Sequence, residues 1–202
     1  GNVAQLSGLT FQAPSNFRGD IVLTVTATSK DGITTAASSD KNFTVTVNPV
    51  ADIPSLTTSP ASGNEDTAIP LSITSSLIDA DGSETLSILI SAVPSGATLS
   101  AGTDNFDGSW TLTSTQLTGL SITPPLHDSS NFTLVVKATS TETANSYTAE
   151  VSLNLAVTVD PVSDAPTSSV ANVSGNEDTP IALNLSTELV DPSEVLSVQI
   201  SG

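Results

Sequence analysis

Asp160-Pro161-Val162-Ser163-Asp164-Ala165-Pro166, followed by Gly175-Asn176-Glu177-Asp178-Thr179, is a near copy of an earlier stretch. That stretch is Asn48-Pro49-Val50-Ala51-Asp52-Ile53-Pro54 followed by Gly63-Asn64-Glu65-Asp66-Thr67. The offset is 112 residues at both ends, from Asp52 to Asp164 and from Glu65 to Glu177. A fixed period of that length is a whole domain repeated, so each stretch is predicted to join successive domains of an array. Proline, with the narrow backbone choice it imposes on the residue before it, suits a short stiff connection.

Outward from these stretches the copying continues. Leu6-Ser7-Gly8-Leu9 matches Leu117-Thr118-Gly119-Leu120, and Ala27-Thr28-Ser29 matches Ala138-Thr139-Ser140, both at an offset of 111. The expected division is therefore 1–53, the C-terminal part of one repeat; 54–165, a complete repeat; and 166–202, the N-terminal part of the next. A permuted phase, with domains at 1–94 and 95–202, is the alternative the sequence leaves open.

Within the complete repeat the dominant period is two. Tyr147, Ala149, Val151, Leu153, Leu155, Val157 and Val159 alternate with mostly polar residues, the pattern of a long strand with one buried face. Shorter strands are expected at 69–73, 86–90, 110–113, 120–123 and 132–138, separated by Gly, Pro, Asp and Asn. Six or seven such strands in one period predict an all-β chain of tandem antiparallel β-sandwich domains, immunoglobulin- or cadherin-like. With aromatics only 3% of the chain, the core must be aliphatic.

Charge narrows the partners. Four Lys and Arg against 21 Asp and Glu give a formal charge of −17, which excludes nucleic acid and anionic membrane surfaces as natural partners and favours cations. The absence of Cys removes disulfides and thiol chemistry. No stretch approaches the roughly 20 apolar residues of a membrane span, so no direct membrane insertion is expected.

The acidic residues fall in clusters. Asp79-Ala80-Asp81-Gly82-Ser83-Glu84 holds three carboxylates in six residues, Asp52 follows a long strand, and Glu65-Asp66 opens the next domain. Two like charges about 4 Å apart cost about 4 kcal/mol at an effective dielectric of about 20, and a divalent cation reverses that sign. Calcium fits loops of carboxylate and carbonyl oxygen, whereas zinc or copper would call for His and Cys, of which the chain has one and none.

These residues resemble a family. The early Glu65 and Glu177, the Asp79-Ala80-Asp81 triplet, the acidic Asp31 and Glu142 after an Ala-Thr strand, and the linkers Asp52-Ile53-Pro54 and Asp164-Ala165-Pro166 follow the motif order of cadherin repeats. The Gly-Asn-Glu-Asp-Thr head (with Asp66 and Asp178), Gly96-Ala97-Thr98-Leu99-Ser100 and the Asp-Pro-Val-Ser-Asp-Ala-Pro tail look like the extender repeats of giant bacterial repeats-in-toxin (RTX) adhesins. The resemblance covers the chain and implies an extracellular, cell-surface spacer. Calcium at its linkers would stiffen a stalk that projects a distal binding region for cell adhesion or biofilm formation. It implies no enzyme, no cofactor but Ca2+, and no partner beyond neighbouring repeats of the same monomeric chain. Carried over by position, a first site takes Asp31, Asp52, Asp79 and Asp81. A second takes Glu65, Glu142, Asp160, Asp164 and Asp191, and Asp66, Glu84, Glu177 and Asp178 are further candidate metal ligands assigned to neither site. The third copy reads Asp191-Pro192-Ser193-Glu194, two residues shorter than Asp79 to Glu84 and without the second Asp.

Other features weigh less. Arg18-Gly19-Asp20 reads as a turn before a strand rather than an integrin motif. Asp104, Asp107 and Gly108 read as a hairpin turn. The row Thr24, Thr26, Thr28 reads as a solvent face, not an ice-binding array. His127-Asp128 reads as a surface loop, since no nucleophile or oxyanion device accompanies it. The competing functions are a ligand-binding module, for which one Trp and one Tyr are a poor supply, and a glycosidase, which repetition of the acidic motifs disfavours.

Overall fold

The structure, a computed structural model, describes residues 6–79 and 81–202. Residues 1–5 of the first repeat segment and Ala80 of the Asp-Ala-Asp triplet lie outside the described residues. The chain is all-β, with short strands in several sheets, an arrangement compatible with a β-sandwich.

The strands in chain order are β1 (Gly19–Val25), β2 (Thr28–Asp31), β3 (Thr34–Ala37), β4 (Lys41–Val47), β5 (Ser55–Ser59) and β6 (Ala61–Asn64). Then follow β7 (Ile69–Pro70), β8 (Ser72–Ser76), β9 (Glu84–Ser91), β10 (Thr98–Leu99), β11 (Thr103–Asp104) and β12 (Trp110–Leu112). The last are β13 (Ser121–Thr123), β14 (Phe132–Glu142), β15 (Thr148–Asp160), β16 (Thr167–Ala171) and β17 (Asn184–Glu188). Helix is confined to short 3-10 turns such as Ser114–Leu117, which Gln116 caps by accepting the Thr113 N–H at 2.8 Å.

Contacts divide the chain into two compact units that do not follow the sequence period. The first comprises Gly1–Ser55, Ser76–Leu86 and Thr139–Val151; the second comprises Leu56–Ser75, Ser87–Ala138 and Ser152–Gly202. In the first unit β1 pairs antiparallel with β4, Gly19 opposite Val47, and β2 pairs with β3 as a hairpin. In the second, β10, β13 and β7 form a three-stranded sheet, and β6 joins β15 in parallel with Val157 opposite Ala61.

The long strand forms from residue 148, but its alternation is buried only in the second half, and Tyr147 and Leu153 on the expected buried face are exposed. Leu155, Val157 and Val159 are buried while Asn154, Ala156 and Thr158 are exposed. The stretch 69–73 breaks in two instead of forming one strand. Pro70 has no N–H to give a ladder, Leu71 donates its own to Leu120 at 2.9 Å, and the chain passes from pairing with β13 to pairing with β5. Strand β14 runs past its expected end at 138 to Glu142, because Ser140 and Glu142 continue the buried phase with polar side chains. Every buried aliphatic side chain among the described residues lies in the second unit, including Ile69, Ile88, Ile122, Leu134 and Leu155. In the first unit the buried side chains include the polar Asp79, Ser83, Glu84, Ser140 and Glu142.

Gly63 and Gly175, one period apart, both lie under an isoleucine. A Cβ on Gly63 would come within 2.9 Å of Ile69 Cγ1, and one on Gly175 within 2.6 Å of Ile181 Cγ1. Ile69 is fully buried while Ile181 is 45% exposed and free to yield. Gly63→Ala is therefore expected to destabilise by about 1–3 kcal/mol, as overpacking does in tight cores, and Gly175→Ala by much less. Denaturant melts of the two variants check this ordering; equal costs would contradict it.

Candidate metal-binding linker sites

The structure gathers the acidic residues into two groups, one in each unit, both beside a proline-bearing linker. Proline cannot donate a hydrogen bond, so the few remaining linker N–H groups need acceptors when they leave water. Carboxylates supply them.

In the first group Asp52 N donates to Glu84 Oε1 at 2.6 Å, and the Asp52 carbonyl accepts from the Ser140 hydroxyl. Asn145 Nδ2 donates to the Pro49 carbonyl at 2.9 Å. The loop 79–84 is wound by two successive side-chain turns: Asp81 N donates to Asp79 Oδ1 at 2.9 Å and Ser83 N to Asp81 Oδ1 at 2.7 Å. Thr143 ties that loop to β14 by donating both its N–H and its hydroxyl to the Ser83 carbonyl, at 2.9 and 2.7 Å. Arg18 stands among these carboxylates, Nε 3.4 Å from Asp81 Oδ2 and Nη1 3.9 Å from Glu142 Oε1. A cavity of about 210 Å³ is lined by Arg18, Asn48, Asp52, Asp79, Ser83 and Glu142, with further residues of the same loops. Glu142 is 2% exposed and Glu84 7%, and Glu84 Oε2 is shut off from solvent without a hydrogen bond.

The second group repeats the wiring. Asp164 N donates to Glu194 Oε1 at 2.7 Å, as Asp52 N does to Glu84. Ser193 N donates to Asp191 Oδ1 at 2.7 Å, as Asp81 N does to Asp79. Glu65 N donates to the Asp160 carbonyl at 3.0 Å, and Glu65 Oε1 accepts from Val162 N at 2.7 Å. Glu65 is 2% exposed, and its Oε2 has no partner. His127 N donates to Asp66 Oδ1 at 2.8 Å, which sets the imidazole Nδ1 3.3 Å from Asp66 Oδ2 and 3.1 Å from Asp164 Oδ2.

Several expected ligands are placed differently. Glu142, assigned by position to the second site, belongs to the first, because β14 carries it back beside Ser83 and Asp79. Asp31 is exposed at the β2–β3 hairpin, where its carbonyl accepts from Thr34 Oγ1 at 2.8 Å, and it lines no part of the first group's cavity. Asp160 joins the second group through its carbonyl. Glu177 and Asp178 are exposed, although Asp178 repeats the left-handed backbone of Asp66, φ 63° against 57°. Glu194, Arg18 and His127 were not among the expected site residues. Glu194 was legible as the counterpart of Glu84 once the two-residue shortening is allowed for; Arg18 and His127 had no motif to announce them.

The other singled-out residues have structural work. Arg18-Gly19-Asp20 is occupied internally, Arg18 as above and Asp20 by accepting from Thr46 at 2.7 Å. Asp104 and Asp107 accept N–H groups two residues ahead, from Phe106 and Ser109, in the β11–β12 hairpin. Thr24 bonds Asn42, and Thr26 bonds Asp40.

The backbone N–H of Ser193, then its hydroxyl, holds the Asp191 carboxyl below its ordinary value of 3.8 against the opposing effect of burial, with His127 contributing less. Asp81 is held below the same value first by the Ser83 side chain, then by its backbone N–H, and less by Arg18. No protein-family model matches the chain, and a search of curated proteins finds no match.

A folded carboxyl that titrates below its unfolded value contributes stability above the unfolded value, lost as the pH falls through the folded one. Asp191→Asn is therefore expected to flatten the acid limb of thermal stability below pH 3.8 and to leave its shape near neutrality unchanged. Melting temperatures from pH 2 to 7, at about one-unit steps across the carboxylate range, check this; an acid limb as steep as that of the unaltered chain would contradict it.

Proposed function

We propose that the chain is a calcium-stiffened spacer segment of a large bacterial cell-surface adhesin, non-catalytic, built of tandem cadherin- or immunoglobulin-like β-sandwich repeats. The observation that carries this reading is the recurrence of one linker contact a repeat apart, Asp52 N to Glu84 and Asp164 N to Glu194, beside buried carboxylate oxygens that lack a partner. A catalytic centre occurs once in a domain; a structural linker recurs with the domain. The sheet change at Leu71 is of the kind a sandwich uses to turn a corner.

The residues fit a hard cation. Asp52, Asp79, Asp81, Glu84 and Glu142 in the first group, and Glu65, Asp66, Asp160, Asp164 and Asp191 in the second, supply carboxylate and carbonyl oxygen. Glu65 Oε2 and Glu84 Oε2 are left unpartnered and dry, a state that costs about 1–3 kcal/mol or more for a charged group. Calcium accepts a flexible shell of six to eight oxygens and would neutralise these charges. The protein's own part is to hold each linker amide on a carboxylate, so that neutralising the group fixes the linker.

Calcium is expected to raise the melting temperature in the range of about 10⁻⁴ to 10⁻³ M, typical of extracellular modules, by about 2.7 kcal/mol per site at a hundredfold excess over Kd. Asp79→Asn with Asp81→Asn should remove the first site's share while the β-sheet circular dichroism stays. Scanning calorimetry with and without chelator, with scattering to read the maximum dimension, tests this. A chain indifferent to calcium up to about 10 mM, above that affinity range, would overturn the calcium reading.

A further inference from the structure

The second group contains a nitrogen ligand that an oxygen-only cation does not need. His127 Nδ1, Asp66 Oδ2 and Asp164 Oδ2 converge from three separate segments, and one ligand atom of each lies within 4.8 Å of the others. Nδ1 is 3.1 Å from Asp164 Oδ2, near enough for a hydrogen bond, yet it makes none to either carboxylate, and both it and Asp164 Oδ2 are shut off from solvent without a hydrogen-bond partner. Three donor atoms that face one another without bonding to one another form the outline of a ligand shell.

We propose that His127, Asp66 and Asp164 bind a divalent transition-metal ion of the zinc class. The spacing suits that class: four ligands at about 2.0–2.1 Å in a tetrahedron lie about 3.3 Å apart, against the 3.3 and 3.1 Å that separate Nδ1 from its two carboxylate neighbours. Imidazole is a ligand for zinc, copper and nickel, whereas calcium prefers oxygen alone. Two protein devices orient the site. Asp66 Oδ1 accepts the His127 backbone N–H at 2.8 Å, which leaves its Oδ2 for the metal, and Asp164 is anchored through its own N–H on Glu194. Both His127 and Asp66 take the left-handed backbone, φ 55° and 57°, which aims them from tight turns.

The preceding copy marks His127 as the distinguishing residue. At the matching position it has Asn16, also left-handed at φ 58°, and no imidazole stands in the first group. The proposal stands apart from the calcium reading of the first group, and shares Asp66 and Asp164 with that of the second.

The test titrates the whole chain with Zn2+ and, separately, Ca2+ by calorimetry, beside His127→Asn, the residue the first copy carries. One zinc site is expected in the unaltered chain, weakened about tenfold or more in the variant because an imidazole ligand is lost, with the calcium response of the chain retained. Co2+ in place of zinc should give a visible ligand-field band that the variant lacks. Zinc binding as tight in His127→Asn as in the unaltered chain would overturn the proposal. The chain has one histidine, so its imidazole ¹⁵N resonances report on the unaltered protein even if the variant folds poorly. They should shift on adding zinc, and resonances that stay in place would also overturn the proposal. Loss of the zinc result with calcium binding intact would leave the spacer reading standing; loss of calcium binding alone would not affect the zinc site.

Discussion

The linkers are held by carboxylates that accept backbone N–H groups. Glu84 takes Asp52 N, Glu65 takes Val162 N and Glu194 takes Asp164 N, each at 2.6 or 2.7 Å. A charge-assisted bond of that kind is roughly twice as strong as a neutral one. It also brings an ionised side chain into a place largely without water. Glu65 and Glu84 are nearly buried, and each satisfies one oxygen while the other has nothing. The same contact that holds the linker amide thus leaves the second oxygen of Glu65 and of Glu84 buried without a partner.

The protein sets nitrogen-bearing side chains beside these carboxylates. Arg18 sits by Asp81 and Glu142, and His127 by Asp66 and Asp164, in a chain with only four Lys and Arg and a single His. Both come from the same loop of the repeat. Asn16 and His127 occupy matching positions with the same left-handed backbone, and Arg18 lies two residues past Asn16. One loop of the repeat therefore decides what the linker carboxylates face: a guanidinium in one copy and, from a position two residues earlier, a ring nitrogen in the other. A guanidinium offers only donors, whereas a neutral imidazole offers a lone pair. The two groups share their wiring but differ in the chemistry of that one neighbour.

The long alternation from 147 to 159 made β15 readable, because its last three apolar positions, Leu155, Val157 and Val159, are aliphatic residues that water rejects. The end of β14 was not readable for the opposite reason. Ser140 and Glu142 occupy the buried phase as polar residues, where Ser140 meets the Asp52 carbonyl and Glu142 meets Arg18 and the Ala144 N–H. The short strands β6 and β10 owe their pairing to partners distant in sequence and left no period of their own. Of the residues gathered there, Asp52 and Asp164 were legible from repetition, and Asp79 and Asp81 from their clustering. The place of Glu142 was not, since position along a repeat does not tell to which end of the domain a strand returns its last residue.

The shortened third copy shows which part of the motif the linker requires. Between Asp79 and Glu84 the chain takes two side-chain turns; between Asp191 and Glu194 it takes one, with Ser193 donating to Asp191 where Asp81 donates to Asp79. The glutamate still reaches its linker amide, at 2.7 Å against 2.6 Å. What disappears is the second aspartate, the one that in the first copy faces Arg18. The shortened loop thus keeps the mechanical contact and discards one charge, so the amide-to-glutamate bond is the constant of the design and the carboxylate count its variable. The side chain facing the carboxylates is then free to change from one copy to the next while that bond stays, as Arg18 in one loop and His127 in its counterpart illustrate.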